Sequence, residues 1–280
     1  MRHANKYKTP HLHHDDDLIV EIDSTDEQHR EVSCSHKHSF YSVFWIHEGI
    51  GNHIIDFCNY EIVANRIFFL RPEQVHLLCV DNQKIKYSTV QFCEDFYMLF
   101  AKNSDKNLPV FVDLESEDDI NYFMQLWQRL MNEKLSSQSF KFNIIQGEIY
   151  MLLFRLMRIA EDNTKQLQQQ PEIIEKYQYL VEHHFIEKHL VAQYAQMLGV
   201  SSNYLNVLVQ KHLHCQASQL ISNRIVLEIK RKLLDTSLSV SEICYMLGFN
   251  EVSYFSRYFK RQTGERPISF RNRMNKLYKK

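Results

Sequence analysis

The chain has 280 residues, of which 44% are hydrophobic, and its formal charge is nearly balanced at −1. This length suits two domains that each bury a core. No stretch approaches the ~20 apolar residues of a membrane-spanning helix, no signal peptide is visible, and the six cysteines show no paired close spacing, so the sequence predicts a cytoplasmic protein with reduced thiols.

The first half of the chain contains short β-rich runs between residues 40 and 80. Turn-compatible residues separate them at 48–51, 64–65 and 72–73. Several short strands this close together predict a small β-barrel or sandwich. The runs are YSVFWIHEG, HIIDFCNYEIV and RIFFLRPEQVHLLCV.

Two amphipathic segments follow, at residues 118–134 and 140–159. The second has a broad apolar surface, which either packs wholly against the barrel or also forms a helix-helix dimer interface. We favour the dimer, and expect Ile149→Glu to break it. The polar, Gln-rich stretch EDNTKQLQQQP at residues 161–171 is predicted to be a linker between domains at 1–160 and 172–280.

One pattern occurs twice near the C-terminus, at residues 191–211 and 240–261. Both copies contain Met-Leu-Gly, with a small residue four positions before the glycine. This arrangement predicts helix, turn, helix, because the small side chain lets a second helix cross closely over the first. Tyr204 and Tyr254 are fifty residues apart but the glycines are forty-nine apart, so the second copy has one extra residue around its turn.

The second helix of each copy has polar residues on its predicted outer side, and these are our candidate DNA-binding residues. We expect Asn203 and Asn206 to lead in the first copy, and Arg257 in the second. Tyr204, Tyr254 and Phe255 are predicted to lie in the core. The candidates are Ser201, Ser202, Asn203, Asn206 and Gln210 in the first copy, and Asn250, Glu251, Ser253, Ser256, Arg257 and Lys260 in the second.

Spacing and charge support a DNA partner. A helix-like stretch at residues 218–235 joins the two copies, and about eighteen residues give a rod of ~27 Å, so the two motifs reach roughly one DNA turn of ~34 Å. Residues 172–280 contain 16 Lys plus Arg and 9 Asp plus Glu, a formal +7, whereas residues 1–171 are at −8. A basic segment suits a polyanion.

Residues 224–271, RIVLEIKRKLLDTSLSVSEICYMLGFNEVSYFSRYFKRQTGERPISFR, resemble the signature of the AraC/XylS family of bacterial transcription regulators. The resemblance implies a monomeric seven-helix module with two helix-turn-helix units and a long central helix that orients both. Ser239 and Glu242 form a predicted capping box in the second unit. The first unit departs from the family pattern at Leu190, Val207 and His214.

The order His36-x-His38, Gly49-x-Gly51 and Pro72-Glu-Gln-Val-His76 resembles the cupin-type sensory domain of many AraC relatives. The candidate effector-pocket residues are therefore His36, His38, Trp45 and His76. Cupin enzymes add a Glu to such histidines to hold a metal, but this chain has Ser and Val at positions 42 and 43. We therefore predict no metal and no cofactor.

Together these features predict an α+β, two-domain protein: an N-terminal cupin-like β-barrel with two following helices, and a C-terminal all-α domain with two helix-turn-helix units. The expected function is sequence-specific regulation of transcription, by an activator rather than an enzyme. Expected partners are double-stranded promoter DNA, RNA polymerase, a small-molecule effector and a second copy of the chain, with no membrane. Two alternatives stay open: a cupin-like metal-dependent enzyme carrying a DNA-binding tail, and a constitutive DNA binder without effector.

Overall fold

The computed structural model describes residues 18–24, 35–101, 108–164 and 171–277. The chain divides into two compact domains, Met1–Leu167 and Gln168–Lys280. None of the described helices is long and apolar enough to cross a membrane.

The N-terminal domain is built on one curled, antiparallel sheet of six strands. Along the sheet the strand order is β1-β5-β2-β4-β6, and β3 pairs with β2. Long β2 and β5 form the spine, pairing from Tyr41 with Phe92 to Ile55 with His76. The strands are β1 (Leu18–Ser24), β2 (Tyr41–Ile55), β3 (Cys58–Glu61), β4 (Arg66–Leu70), β5 (His76–Phe92) and β6 (Phe111–Asp113).

The turn predicted at residues 48–51 is wrong, because β2 runs straight through it. Register shifts between Ile46 and Glu48, and between Gly49 and Gly51, mark β-bulges instead. A Cβ at Gly51 would lie 2.1 Å from the carbonyl oxygen of Cys79, so only glycine permits this close approach of β5. The bulges bend the strand and curl the sheet without interrupting it.

One face of the sheet packs on three helices, α1 (Glu94–Ala101), α2 (Glu117–Leu135) and α3 (Lys141–Thr164). Ser116 caps α2 by accepting a hydrogen bond from Asp119 N. The core on this face includes Trp45, Phe92, Phe123, Trp127, Ile149 and Leu153. The opposite face has a separate apolar cluster of Ile46, Ile55, Ile62, Phe68, Leu70, Leu78 and Ile85.

Helix α3 has two apolar faces rather than one. Ile149 is fully buried in the core of its own domain, so the dimer contact expected at Ile149 is wrong. A second row, spaced by three, four and three residues, lies on the exposed side. It consists of Ile144, Gly147, Met151 and Phe154. The helix continues to Thr164, four residues into the predicted linker, and residues 165–170 lie outside the described part.

The described part of the C-terminal domain contains seven helices, the number that the family resemblance implies. The ends of helix α7 lie within one residue of the predicted stretch, 218–235. It has seven buried residues, more than any other helix of this domain. The seven are α4 (Glu172–His184), α5 (Val191–Met197), α6 (Ser202–Leu213), α7 (Ala217–Leu234), α8 (Val240–Met246), α9 (Val252–Thr263) and α10 (Pro267–Leu277).

Local capping explains where the short helices begin. Ser239 Oγ accepts from Glu242 N, and the Glu242 carboxylate accepts from Ser239 N, which confirms the predicted capping box of α8. Leu190 has no side-chain acceptor, but the Gln193 side chain accepts hydrogen bonds from the backbone N–H groups of His189 and Leu190, both at 3.0 Å. Helix α5 therefore keeps half of the box that the sequence appeared to lack.

Candidate nucleic-acid interface

Two helix-turn-helix units are present, α5–α6 and α8–α9. Gly199 and Gly248 lie in the turns with φ of 68° and 73°, where a side chain is strained. Four residues separate α5 from α6 and five separate α8 from α9. The extra residue predicted for the second turn is therefore confirmed.

The second helices of the two units, α6 and α9, are the recognition helices, and they correspond position by position. Each has twelve residues and ends in a left-handed residue, His214 with φ of 54° and Gly264 with φ of 85°. A shift of fifty residues superposes their patterns of exposure, with a difference only between half-buried Leu208 and buried Tyr258. The two helices thus present equivalent surfaces with different side chains.

The predicted DNA-binding residues all lie on or beside these two helices. Ser201 is the N-cap of α6, where its Oγ accepts from Tyr204 N at 3.1 Å, so its hydroxyl already has a structural role. Ser202, Asn206 and Ser256 are half-buried. The fully exposed ones are Ser201, Asn203, Gln210, Asn250, Glu251, Ser253, Arg257 and Lys260.

The prediction that Tyr204 and Tyr254 lie in the core is wrong. Tyr204 is 50% exposed and Tyr254 is 48% exposed, whereas the expectation that Phe255 is core is confirmed at 0%. Both tyrosines are the third residue of their helix. An exposed phenol there can donate a hydrogen bond to a phosphate.

Helix α7 is joined to α4 by an ion pair and contains further ion pairs of its own. Arg224 donates to Glu182 on α4 at 2.8 Å and pairs with Glu228 at 3.1 Å. Burial raises the pKa of Glu228, but Arg224, Arg231 and Lys232 outweigh it, so the net pKa is lowered and the carboxylate stays ionised.

The signature residue Arg271 has a structural task rather than a DNA contact. Its Nε donates to the carbonyl of Leu233 at 2.9 Å, and its Nη2 donates to that of Leu238 at 2.7 Å. These bonds satisfy carbonyls at the end of α7 and in the loop before α8. The orientation of the second helix-turn-helix is thereby fixed to the central helix.

The segment before the first unit contacts the turn of the second unit. The ring of His189, just before α5, lies 5.1 Å from that of Phe249, in the second turn. A Cβ on Gly248 would lie 2.4 Å from the carbonyl oxygen of Ile186. The second turn is thereby packed against the segment between α4 and α5.

In the N-terminal domain, three of the predicted effector-pocket residues lie together and a fourth histidine joins them. The ring of His76 lies 4.1 Å from that of His36, 5.1 Å from that of His38 and 5.5 Å from that of His53. We call these four residues the histidine cluster. His53 falls after the bulges of β2, so alternation counted from the sequence misplaces it.

Three members of the histidine cluster, His38, His53 and His76, have lowered pKa values and are uncharged at neutral pH. Burial, with a smaller repulsion from His36, lowers the pKa of His53 to about 3 and that of His76 well below its usual range. Burial also lowers the pKa of His38 to about 4, although its Nδ1–H donates to the Phe40 carbonyl at 2.7 Å.

Two ring nitrogens of the cluster have no hydrogen-bond partner among the described residues, Nδ1 of His53 and Nε2 of His76. Among those residues, no group of three or more His, Cys, Asp or Glu side chains is arranged to hold a metal ion. The neutral rings of His53 and His76 each have one nitrogen that can form a hydrogen bond with a ligand.

Trp45 does not belong to this cluster. It is 1% exposed and lies on the helix-covered face of the sheet, with its ring 5.6 Å from that of Trp127. His53 contacts Phe68 in the apolar cluster of the opposite face, at 4.7 Å. The sequence could not separate these faces, because two bulges lie between Trp45 and His53.

Comparison with protein families matches both domains. A family model described as an AraC-like ligand-binding domain matches residues 24–154, and a helix-turn-helix domain model matches residues 194–273. The chain belongs to the AraC family. It is a transcription regulator with a helix-turn-helix DNA-binding domain and an AraC-like ligand-binding domain.

Relatives of this AraC-family regulator match along most of its length. The uncharacterised HTH-type transcriptional regulator YfiF of Bacillus subtilis is 25% identical over 87% of this chain and 79% of its own. The HTH-type transcriptional activator RhaR of an Enterobacter species is 23% identical over 90% and 91%. A crystal structure of ToxT from Vibrio cholerae is 16% identical, with a TM-score of 0.43, and the match covers 91% of this chain and 92% of that one.

Proposed function

We propose that this regulator binds double-stranded promoter DNA by inserting α6 and α9 into successive major grooves. The observation that carries the proposal is the matched pair of recognition helices, which expose equivalent polar surfaces and are joined by one helix. Helix α7 has 18 residues, so its length of about 27 Å, with the motif widths added, reaches roughly one turn of the duplex, ~34 Å.

The charge of the C-terminal domain supports the same partner. The exposed parts of the recognition helices contain Lys211, Arg257, Lys260 and Arg261. Lys and Arg side chains displace counterions from phosphates, which supplies affinity for any DNA sequence. Asn and Arg side chains that reach base edges supply the preference for one sequence.

The regulatory output that we propose is activation, through contact with RNA polymerase in the cytoplasm. RhaR and RhaS, which match over 84% or more of this chain, are named transcriptional activators. We propose no enzymatic activity, since the relatives are transcription regulators, which are not enzymes.

We propose that the chain is a homodimer that pairs through the exposed row of α3. Ile144, Gly147, Met151 and Phe154 have the spacing of a coiled-coil seam. Met151 is 55% exposed and Phe154 is 41% exposed, and a Cβ on Gly147 would meet nothing within 4 Å. A second α3 can therefore approach closely and bury apolar side chains that water now covers.

We propose that the effector is an uncharged small molecule with hydroxyl groups, bound at the histidine cluster. Each neutral imidazole offers one donor and one acceptor, which suits a hydroxyl better than an ion. The unpartnered Nδ1 of His53 and Nε2 of His76 are the nitrogens that such a ligand would engage. Trp45 is left out of this site because it lies on the other face of the sheet.

Mapping of chromatin binding in the native cell, combined with transcript profiling after deletion of the gene, tests this function. We expect sharp peaks upstream of a few genes whose transcripts fall on deletion. Transcripts that rise would make the protein a repressor, and occupancy that no growth condition changes would make it a constitutive binder. An absence of sequence-specific peaks under every condition would contradict the proposal.

A further inference from the structure

Val207 is an exposed apolar residue in the middle of a recognition helix. It is 56% exposed, whereas Leu205 and Val209 are fully buried in the core and the adjacent Leu208 is half-buried. Packing therefore explains Leu205 and Val209 but not Val207. A single exposed valine is ordinary on a protein surface, so only its position on a recognition helix can indicate a partner outside the chain.

The equivalent position in α9 identifies that partner. A shift of fifty residues places Val207 on Arg257, since each is the sixth residue of its twelve-residue helix and both are exposed. Val207 also shares its helix face with Asn203 and Gln210, four residues before it and three after, just as Arg257 does with Ser253 and Lys260. Val207 thus occupies a base-reading position.

A valine and an arginine at equivalent positions read different bases. The C5-methyl group of thymine is the apolar group that a base pair presents in the major groove, whereas a guanidinium binds O6 and N7 of guanine. We propose that Val207 contacts a thymine methyl in the first half-site, so that the first unit reads an A·T pair where the second reads G·C. This inference rests on the proposed function.

The surroundings of Val207 favour the same assignment. Asn203, one turn earlier, has the side chain that pairs with adenine N6 and N7. The exposed part of α6 has one basic residue, Lys211, whereas that of α9 has Arg257, Lys260 and Arg261. The first unit therefore depends less on phosphate attraction and more on close contact with bases.

Deoxyuridine scanning tests the contact, because uracil lacks only the methyl group of thymine. The probe is a duplex isolated by selection from random DNA with the full-length protein, with thymines replaced one at a time. We expect one replacement in the first half-site to weaken wild-type binding by about three- to fivefold, the effect of one buried methyl group. In Val207→Ala that same replacement should have no effect, whereas the control Gln210→Ala should keep the sensitivity.

A second variant gives an independent readout. Selection with Val207→Arg should change the preferred base at that position from thymine to guanine and leave the second half-site unchanged. Indifference of the wild type to every replacement in the first half-site would overturn the inference, as would equal sensitivity in Val207→Ala. If the wild type selects no sequence at all, the proposed function itself is wrong, and the inference fails with it.

Discussion

At the scale of one residue, a substitution of Arg257 can distinguish base reading from phosphate binding. It is exposed on α9 in the position where a guanidinium can reach a guanine. Arg257→Ala should weaken binding to a selected site by ~1–3 kcal/mol while changing binding to random DNA little. Fluorescence anisotropy with both duplexes checks this, with Arg266→Ala, exposed beyond α9, as the matched control. Equal losses on both duplexes would reassign Arg257 to a phosphate.

His214 has a strained backbone conformation, whereas the equivalent residue at the end of α9 is a glycine. Its φ of 54° is left-handed, and Gly264 occupies the same place at the end of α9. His214→Gly should stabilise the C-terminal domain by a few tenths to about 1 kcal/mol, because relief of strain exceeds the entropy that glycine adds to the unfolded chain. Slower amide exchange in α6 and α7, measured by mass spectrometry, would show it.

The reciprocal substitution is the control for His214. Gly264→Ala forces a Cβ into the left-handed region and should destabilise the same domain by about 1 kcal/mol. Faster exchange in His214→Gly than in the wild type would contradict the assignment of strain to this residue.

At the scale of elements, α3 carries the prediction about assembly. Met151→Glu places a charge in the middle of the exposed row and should convert the dimer to a monomer in analytical ultracentrifugation. Met98→Glu on α1 is the matched control, since Met98 is 50% exposed and Met151 is 55% exposed. A dimer that persists in Met151→Glu would place the interface elsewhere.

The histidine cluster joins β2, β5 and the segment before β2, and it makes their stability depend on pH. Because the folded pKa of His53 is about 3 and that of His38 about 4, against about 6.5 unfolded, the unfolded state binds more protons between these values. Stability is complete above about pH 6.5 and falls as the pH falls towards 4. At pH 5 each such histidine costs about 2 kcal/mol.

Tryptophan fluorescence isolates this effect in the full chain. Trp45 and Trp127, the only two tryptophans in the sequence, both lie in the N-terminal core. Urea unfolding followed by their emission should give a lower midpoint at pH 5 than at pH 7, and His53→Leu should reduce that difference. A midpoint that is the same at both pH values would show that the cluster is protonated in the folded state.

The elements differ in how far the sequence predicts them. The motif pairs around α5, α6, α8 and α9 were predictable because helix periodicity, a turn glycine and a cap act within one turn of the chain. The exposure of Tyr204 and Tyr254 was not predictable, because helix periodicity does not show how wide the buried face of a helix is. In the sheet, the bulges between Ile46 and Glu48 and between Gly49 and Gly51 change the alternation of faces, so Trp45 and His53 could not be assigned to faces from spacing alone.

At the scale of the whole molecule, the chain combines a basic DNA-binding domain with an acidic ligand-binding domain, at formal charges of +7 and −8. The near-neutral total conceals this division. A basic domain is drawn to the phosphate backbone while its acidic companion is repelled from it. This division of charge fits a protein in which the helix-turn-helix domain binds DNA and the AraC-like ligand-binding domain stays off it.

Hydroxyl-radical footprinting of the full-length protein on a selected duplex tests the central claim, that both recognition helices read the DNA together. The length of α7 between the two units predicts two protected patches on one face of the duplex, about one helical turn apart. Val207→Arg should alter the sequence preference of one patch and Arg257→Ala that of the other. A single protected patch, or protection spread evenly along the duplex, would contradict the account.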